Sequence, residues 1–90
     1  MKLSWDEAKR QRTLAERGLD FADAVQVLSG LRETFADLRR DYGEPRFVTV
    51  GFLRSRMVVV VHSPRGDTTH IVSMRKANER EIARYKKFVG

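Results

Sequence analysis

The 90-residue sequence contains no cysteine and only two prolines, which excludes several classes of protein at once. Without cysteine there are no disulfide bonds and no thiolate ligands for a metal. The longest apolar run, residues 57–61, is far too short to span a bilayer. The first residues lack an apolar segment typical of a secretory signal, because Asp6 and Glu7 follow almost immediately. We therefore expect a cytoplasmic protein with no membrane partner.

Positive charge is what the sequence has in excess. Eighteen Lys and Arg residues against twelve Asp and Glu give a formal net charge of +6. Such a balance favours a polyanionic partner: a nucleic acid, an anionic surface or an acidic protein. A composition of 41% hydrophobic and 33% charged residues is typical of a folded domain, and the length predicts a single domain over residues 1–90.

The hydrophobic periodicity predicts an α+β fold with two N-terminal helices, a four-stranded antiparallel meander and a C-terminal helix. Ser4 and Glu7 have the spacing of a capping box, which predicts a first helix from Trp5 to about residue 17, ended by Gly18. Asp20 is a good N-cap for a second helix, whose apolar stripe at positions 21, 24, 25 and 28 predicts packing on a sheet face.

From about residue 32 the apolar period changes from 3.6 to 2. We predict strands over residues 34–39, 46–53, 57–62 and 68–75, the first at an edge and the valine-rich third in the centre. Three short connections in succession favour an antiparallel meander. Asn78 and Glu81 form a second capping-box pattern, for a last helix with Ile82, Tyr85 and Val89 on its apolar face.

Metal, cofactor and nucleophile chemistry find little support in the residues. His62 and His70 lie on neighbouring predicted strands, but no carboxylate cluster or metal-ligand spacing accompanies them, so we expect no metal and no cofactor. No serine lies in a nucleophile elbow, and no glycine-rich phosphate loop is present. His62 continues the valine run, which favours either a histidine bonded at the core edge or a proton donor and acceptor near neutral pH.

Cation chemistry remains. Arg46 opens the second predicted strand, Arg65 lies in the next hairpin, and Arg75 and Lys76 close the fourth strand. Strand alternation predicts that Arg75 shares a face with Ser73 and residue 71, and that Lys76 lies on the other face. Strand order puts Arg46 and Arg65 at the opposite end of the sheet from Arg75 and Lys76, so the sequence does not show that all four converge.

Fixed cations beside a scissile phosphate can promote RNA cleavage without a metal. They stabilise the negative charge that builds up on the phosphate oxygens while the 2′-hydroxyl attacks. An imidazole or another group with a suitable pKa must then move the protons, and His62 is one candidate. For each arginine the alternative interpretation is an ordinary solvated surface charge.

Several short motifs occur in order along the chain: Trp5-Asp6-Glu7-Ala8-Lys9, Arg17-Gly18-Leu19-Asp20-Phe21, Glu44-Pro45-Arg46-Phe47, Ser63-Pro64-Arg65-Gly66-Asp67, and residues 71–81. Together they resemble the BrnT family of toxins. The resemblance implies a RelE-like fold and a bacterial type II toxin, a ribonuclease that cleaves RNA and inhibits translation. Together with the cation chemistry described above, it leads us to expect a metal-independent endoribonuclease. It also implies a cognate BrnA-like antitoxin, through which alone the toxin would reach operator DNA.

By position, the resemblance implies roles for the basic residues Arg46, Arg65, Arg75 and Lys76 and for Lys9 of the N-terminal motif. With His62, which is a candidate from its own place in the sequence, the first four are the catalytic candidates. The RNA-binding candidates are Lys9 and two cations on the exposed face of the last helix, Arg80 and Arg84. The sequence departs from the family at Glu16-Arg17, where the family usually has a Lys-His pair, and at Thr13, where it usually has Asn. These departures motivate an alternative: a nucleic-acid-binding or antitoxin-docking module without ribonuclease activity.

Overall fold

A computed structural model describes the backbone of residues 1–89 and the side chains of residues 1–87. Over this range the chain forms a five-stranded mixed sheet with three α-helices and one short 3₁₀ turn. The elements in chain order are β1 (Lys2–Trp5), α1 (Glu7–Arg17), the 3₁₀ turn (Phe21–Asp23), α2 (Ala24–Ser29), β2 (Arg32–Ala36), β3 (Phe47–Leu53), β4 (Arg56–Arg65), β5 (Thr68–Lys76) and α3 (Glu79–Val89).

The predicted meander is present, but the prediction of a four-stranded antiparallel sheet is wrong. The strand order is β1-β5-β4-β3-β2, in which β2 to β5 are antiparallel and β1 adds to the far edge, parallel to β5. The second predicted strand begins one residue later than expected, and the edge strand β2 ends at Ala36 rather than residue 39. Arg65 closes β4 and Gly66 turns the chain with φ +63°, so the hairpin is tighter than predicted.

The extra strand occupies residues that the capping-box pattern assigned to the start of a helix. Asp6, not Ser4, caps α1: its carboxylate accepts a hydrogen bond from the Lys9 amide at 3.1 Å. The Ser4 hydroxyl is instead hydrogen-bonded to His70 on β5 at 2.8 Å. An aspartate two residues downstream offers an equivalent cap and leaves Ser4 free to pair with the sheet edge. The predicted helix end is confirmed, since Gly18 adopts φ +68° and its N–H donates to the Leu14 carbonyl.

One face of the sheet, here called the α2 face, is covered by the 3₁₀ turn and α2. Phe21 and Val27 pack there against Val58, Val60 and other buried side chains of the central strands. This confirms that the second helix packs on the sheet. The predicted second helix is, however, divided into the 3₁₀ turn and α2. Asp20 caps the 3₁₀ turn, where its side chain accepts a hydrogen bond from the Ala22 amide.

The opposite face, here called the α3 face, is covered at one end by α3. Tyr85 packs with the buried Val50, Met57 and Val59, and its ring stacks on Phe35 of β2 at 6.1 Å between centroids. The predicted capping box is confirmed: the Glu81 amide donates to Asn78 Oδ1 at 2.8 Å, and the Asn78 amide donates to Glu81 Oε1 at 3.0 Å. The predicted contact of Val89 lies outside the described side chains.

No helix within residues 1–89 is long and apolar enough to cross a membrane.

Candidate active site

The uncovered part of the α3 face carries polar and basic side chains in rows that run across the strands. The register aligns Ser4 with His70 and His70 with Ser63, and Arg46 lies beside Ser63 just before β3. A second row on the same face contains Arg75, which is paired with Val59 of β4. The two rows are four residues of β4 apart, which corresponds to about 13 Å. Arg46 and Arg75 therefore share a face while lying at different ends of it.

A β-bulge in β5 decides which side chains reach this face. Val61 pairs with Ser73 but His62 pairs with Ile71, so Val72 is an extra residue and the alternation of β5 reverses there. Ile71 consequently packs in the α2-face core, and the prediction that it shares a face with Arg75 is wrong. The same reversal brings His70 onto the α3 face. Simple alternation from Arg75 would have placed His70 on the opposite side.

The first of two basic clusters on this face lies at the N-terminus of α3. Arg75 Nη1 and Nη2 bond to the two carboxylate oxygens of Glu81 at 2.6 and 2.7 Å, a bidentate geometry. With Arg39 and Ser73 they line a concave cavity of about 300 Å³ whose floor is formed by Val48, Val59, Val61 and Phe35. The Glu81 hydrogen bond raises the pKa of Arg75, so this guanidinium stays charged.

Arg39 is held at the rim of this cavity by a buried carboxylate. Asp37 accepts from Arg39 Nε at 2.8 Å and from Nη2 at 2.7 Å, and the Tyr42 hydroxyl donates to the same carboxylate at 3.1 Å. The Asp37 side chain is 1% exposed, whereas that of Arg39 is 74% exposed. The hydrogen bond from Arg39 dominates in lowering the pKa of Asp37. A rigid anchor thus presents an exposed cation to the cavity.

The second basic cluster lies at the other end of the α3 face. Arg65 Nη2 lies 3.3 Å from Glu44 Oε1, and Arg46 Nε lies 3.8 Å from Glu44 Oε2. The Arg46 guanidinium also stacks over the Tyr42 ring at 4.1 Å. Its Nε is buried and finds no hydrogen-bond acceptor among the described residues. A buried donor of this kind favours an additional acceptor such as a phosphate oxygen or water.

His70 is the imidazole that belongs to this second cluster. Its Nδ1 is hydrogen-bonded to the Ser4 hydroxyl, which orients the ring and leaves Nε2 as the nitrogen able to exchange a proton with a substrate. Burial lowers the pKa of His70 most, and the positive charges of Arg65, Lys9 and Arg46 lower it further against an opposing effect of Glu44. The ring is therefore neutral at pH 7 and able to accept a proton.

Two predicted catalytic residues lie away from these clusters. His62 is on the α2 face, where its Nε2 is hydrogen-bonded to the buried Thr49 hydroxyl at 2.7 Å and its ring stacks on Phe47. This agrees with the interpretation of His62 as a hydrogen-bonded histidine at the edge of the core, except that its partner is a threonine side chain and not the backbone. Lys76 pairs with Val58 and thus lies on the α2 face, as strand alternation predicted. Neither side chain lies on the sheet face that carries the Arg75 side chain.

The predicted RNA-binding residues are dispersed. Lys9 is half-buried on α1, close enough to His70 for its charge to lower the histidine pKa. Arg80 is exposed in the first turn of α3. Arg84 lies over the Tyr85 ring at 5.5 Å and lines a separate shallow cavity between α3 and β2. Of the three, Lys9 belongs with the His70 cluster.

Three residues of the two clusters were missed by the sequence reasoning, each for a different reason. Arg39 lies in a segment without a recognisable motif, and its position depends on a tertiary bond to Asp37. His70 is hidden by the bulge at Val72. Glu81 was interpreted only as a capping residue, although a glutamate six positions after Arg75 offered a signal for an ion pair across the strand–helix junction.

We expect Glu81→Gln to lower the melting temperature by roughly 1–5 °C at pH 7 and to have little effect at pH 3. Glutamine retains the capping bond but removes the charge paired with Arg75. The Arg75 hydrogen bond lowers the pKa of Glu81 below 4.5. The pair therefore contributes stability that is present above the unfolded-state pKa and is lost as the pH falls through the lower folded-state pKa.

Thermal unfolding of both proteins at pH 7, 5 and 3 measures this effect. Glu79→Gln is the matched control, because it removes an exposed carboxylate from the same helix turn. A Glu81 effect that is equal at all three pH values, or equal to that of the control, would contradict the ion-pair explanation.

Comparison with known proteins agrees with the motifs. Residues 5–81 match a family model described as the ribonuclease toxin BrnT of type II toxin–antitoxin systems. Comparison with curated proteins gives no match. The matched range begins at Trp5 and extends to Glu81, so it contains the arginines and glutamates of the two basic clusters and His70, but not Ser4, which is hydrogen-bonded to His70. The chain belongs to the BrnT family of ribonuclease toxins of type II toxin–antitoxin systems.

Proposed function

We propose that the protein is an endoribonuclease that cleaves RNA on the α3 face without a metal ion and thereby inhibits translation. The observation that carries this proposal is the presence, on one sheet face, of a histidine and two basic clusters that lie about 13 Å apart. Arg39 and Arg75 form one cluster, and Arg46 and Arg65 form the other beside His70. Among the described residues, no group of three or more acidic or histidine side chains is arranged to hold a metal.

The proposed reaction is an internal transfer at phosphorus. The 2′-oxygen of a ribose attacks the adjacent phosphorus, the bond from phosphorus to the 5′-oxygen of the next nucleotide breaks, and a 2′,3′-cyclic phosphate forms. His70 Nε2 accepts the proton of the 2′-hydroxyl, and the leaving 5′-oxygen takes up a proton from solvent or from a protonated side chain. The pKa of His70, lowered by burial and by neighbouring cations, keeps it in the basic form required for the first transfer.

The arginines stabilise charge rather than move protons. Negative charge increases on the non-bridging phosphate oxygens in the transition state, and a pre-oriented guanidinium there lowers the barrier without reorganising. The Arg46 guanidinium is one such cation, since its side chain is 25% exposed and its Nε has no hydrogen-bond acceptor among the described residues. Arg75 is the second cation. Both of its terminal nitrogens are bonded to Glu81, so a phosphate binds there in competition with that carboxylate. An RNA strand lying along β5 would contact both clusters, which are about 13 Å apart.

Family membership implies an antitoxin as the protein partner, and we propose that it is a BrnA-like protein that covers the α3 face. Glu44 and Glu81 already neutralise part of the positive charge on this face. An acidic antitoxin segment would extend that neutralisation and exclude RNA, and DNA binding would be a property of the complex. The RelE-like architecture implied by the resemblance is part of the same proposal.

Incubation of the purified protein with RNA, with and without EDTA, tests the activity directly. We expect cleavage to continue in EDTA and to leave 2′,3′-cyclic phosphate and 5′-hydroxyl ends, because the 2′-oxygen is the nucleophile. RNA with 2′-O-methyl riboses should bind but remain intact. Intact RNA under all conditions, or products ending in 3′-hydroxyl and 5′-phosphate, would contradict the proposal.

A further inference from the structure

Four cations surround a cavity on the α2 face, away from the two basic clusters. The cavity has a volume of about 230 Å³ and is lined by Arg17, Arg54, Arg56 and Lys76 together with Gly18, Leu19 and Leu53. Arg17 is anchored by a hydrogen bond from its Nη1 to the Met74 carbonyl oxygen at 2.9 Å. Among the residues whose side chains are described, one carboxylate pairs with the group: Asp23 Oδ2 lies 3.4 Å from Arg54 Nη2. The cluster keeps a large excess of positive charge.

The turn that carries Arg54 is strained, which is an independent indication that its residues are there for function. Leu53 pairs with Arg56, so Arg54 and Ser55 form a two-residue hairpin loop. Both have positive φ, +51° and +72°, as a type I′ turn requires. Asparagine and glycine suit these positions, whereas an arginine and a serine are disfavoured. Strain of this kind is typical of functional sites, where a particular side chain is kept despite its cost.

The α2-face cavity is connected to the candidate active site by consecutive residues of β5. Arg75 points to the α3 face and contacts Glu81, while Lys76 lines the cavity on the α2 face. Arg75 Nη1 also approaches the Lys76 carbonyl oxygen at 3.5 Å. Positive charge therefore continues around the end of the sheet from one face to the other.

We propose that Arg17, Arg54, Arg56 and Lys76 form a second phosphate-binding site that holds the backbone of single-stranded RNA beyond the cleavage point. This inference rests on the proposed function in taking RNA as its ligand. The side chains that line the cavity are these four cations and two leucines. Cations bind phosphate groups, whereas recognition of a base requires hydrogen-bonding groups directed at its edges, so the lining suits a phosphate. It extends the contact of a long RNA without touching the reacting phosphate.

The expected consequence is a dependence on RNA length. An RNA of about six nucleotides is short enough to remain on the α3 face, whereas one of about twenty nucleotides can continue around the end of β5. Arg56→Ala should weaken binding of the longer RNA about five-fold at low salt and reduce the slope of log affinity against log salt by about 0.7. Binding of the shorter RNA should not change. Both probes carry 2′-O-methyl riboses, so binding is measured without cleavage.

Two further variants keep the test decisive. Arg12→Ala removes the same charge from an exposed position on α1 outside the cavity, and it should not affect either RNA. The double variant Arg54→Asn with Ser55→Gly should raise the melting temperature by roughly 5 °C, because it relieves the strained turn, and still weaken binding of the longer RNA. A loss of affinity accompanied by higher stability is not explained by unfolding.

The results separate this inference from the proposed ribonuclease activity. It is overturned if the long and short RNAs lose affinity equally in Arg56→Ala, if neither loses affinity, or if Arg12→Ala has the same effect. Preferential binding of a double-stranded DNA of equal length, with the same dependence on Arg54 and Arg56, also overturns it. Length-dependent RNA binding by a protein that cleaves no RNA would support the second site while refuting the proposed activity.

Discussion

Replacing Arg75 by alanine is expected to reduce the rate constant of RNA cleavage by about 10²–10³-fold, while RNA affinity falls less than ten-fold. The guanidinium is pre-oriented by Glu81 at the wall of the cavity, and its interaction with phosphate strengthens as charge builds up in the transition state. Arg75→Lys should recover little activity, since an ammonium cannot make the bidentate contact. Single-turnover cleavage and anisotropy with a 2′-O-methyl RNA give the two quantities separately.

Two comparisons keep this result interpretable. Arg75→Ala leaves Glu81 without its partner, so the double variant Arg75→Ala with Glu81→Gln shows whether the unpaired carboxylate itself repels RNA. Arg12→Ala controls for the loss of one positive charge on an exposed helix. If Arg75→Ala lowers affinity and cleavage by the same factor, the residue acts in binding alone and the transition-state role is refuted.

Much of the fold follows from local sequence patterns. The capping box of Asn78 and Glu81 sets the start of α3, and Gly18 ends α1 in the left-handed conformation. The order β3 to β5 follows from two short connections, residues 54–55 and 66–67, whereas β2 and β3 are joined by the longer segment 37–46. These features depend on residues that are near one another in the chain, so the sequence is sufficient to predict them.

The features that were missed depend on contacts between distant residues. Whether residues 2–5 form a strand is decided by the open edge of β5, more than sixty positions away, and the Ser4–His70 hydrogen bond is part of that contact. Local capping preference favoured Ser4, but pairing with β5 stabilises the strand and Asp6 takes over the cap. Propensity is a weak guide where a tertiary partner is available.

The bulge at Val72 has the largest effect on how the site is interpreted. One additional residue reverses the alternation of β5, so odd-numbered residues face one side of the sheet before the bulge and the other side after it. Simple alternation correctly puts Arg75 and Lys76 on opposite faces, because both residues come after the bulge. For Ile71 and His70, which come before the bulge, simple alternation counted from Arg75 predicts the wrong face. Nothing in the sequence of β5 marks the bulge, since Val72 is an ordinary strand residue.

The positions of the cations also change how Arg75 and Lys76, at the junction of β5 and α3, are interpreted. Taken from the sequence, Arg75 and Lys76 are two members of one catalytic group. In the structure they lie on opposite faces, as strand alternation predicted, and Arg39 lines the same cavity as Arg75. The electrostatic influence of Arg39 on Arg75 supports their proximity, as it opposes the rise in the pKa of Arg75.

Replacing His70 by alanine is expected to reduce cleavage by about 10²–10⁴-fold, the range typical of a general base. His70 is the imidazole on the same face as Arg46 and Arg65, and it is oriented by Ser4. His70→Gln can keep a hydrogen bond to Ser4 but cannot accept the proton, so it should be equally slow. The comparison of the two variants separates proton transfer from packing, and melting temperatures verify that both proteins are folded.

The pH dependence of the wild-type protein gives the second part of this prediction. A general base is active when neutral, so cleavage should decline as the pH falls through the pKa of His70. Burial and the nearby cations lower that pKa below 6.5, and the acidic limb should therefore lie below this value. The limb should disappear in His70→Gln, whose residual rate no longer depends on this proton.

His62 provides the decisive comparison, because the sequence left open whether it is a catalytic histidine or a structural one at the core edge. Its ring lies on the α2 face, bonded to Thr49 and stacked on Phe47, so His62→Gln should change stability more than cleavage rate. Cleavage that survives in His70→Gln and is lost in a folded His62→Gln would reverse the assignment. It would require RNA to approach the α2 face, on which Arg56 and Lys76 lie, and would make that face the catalytic one.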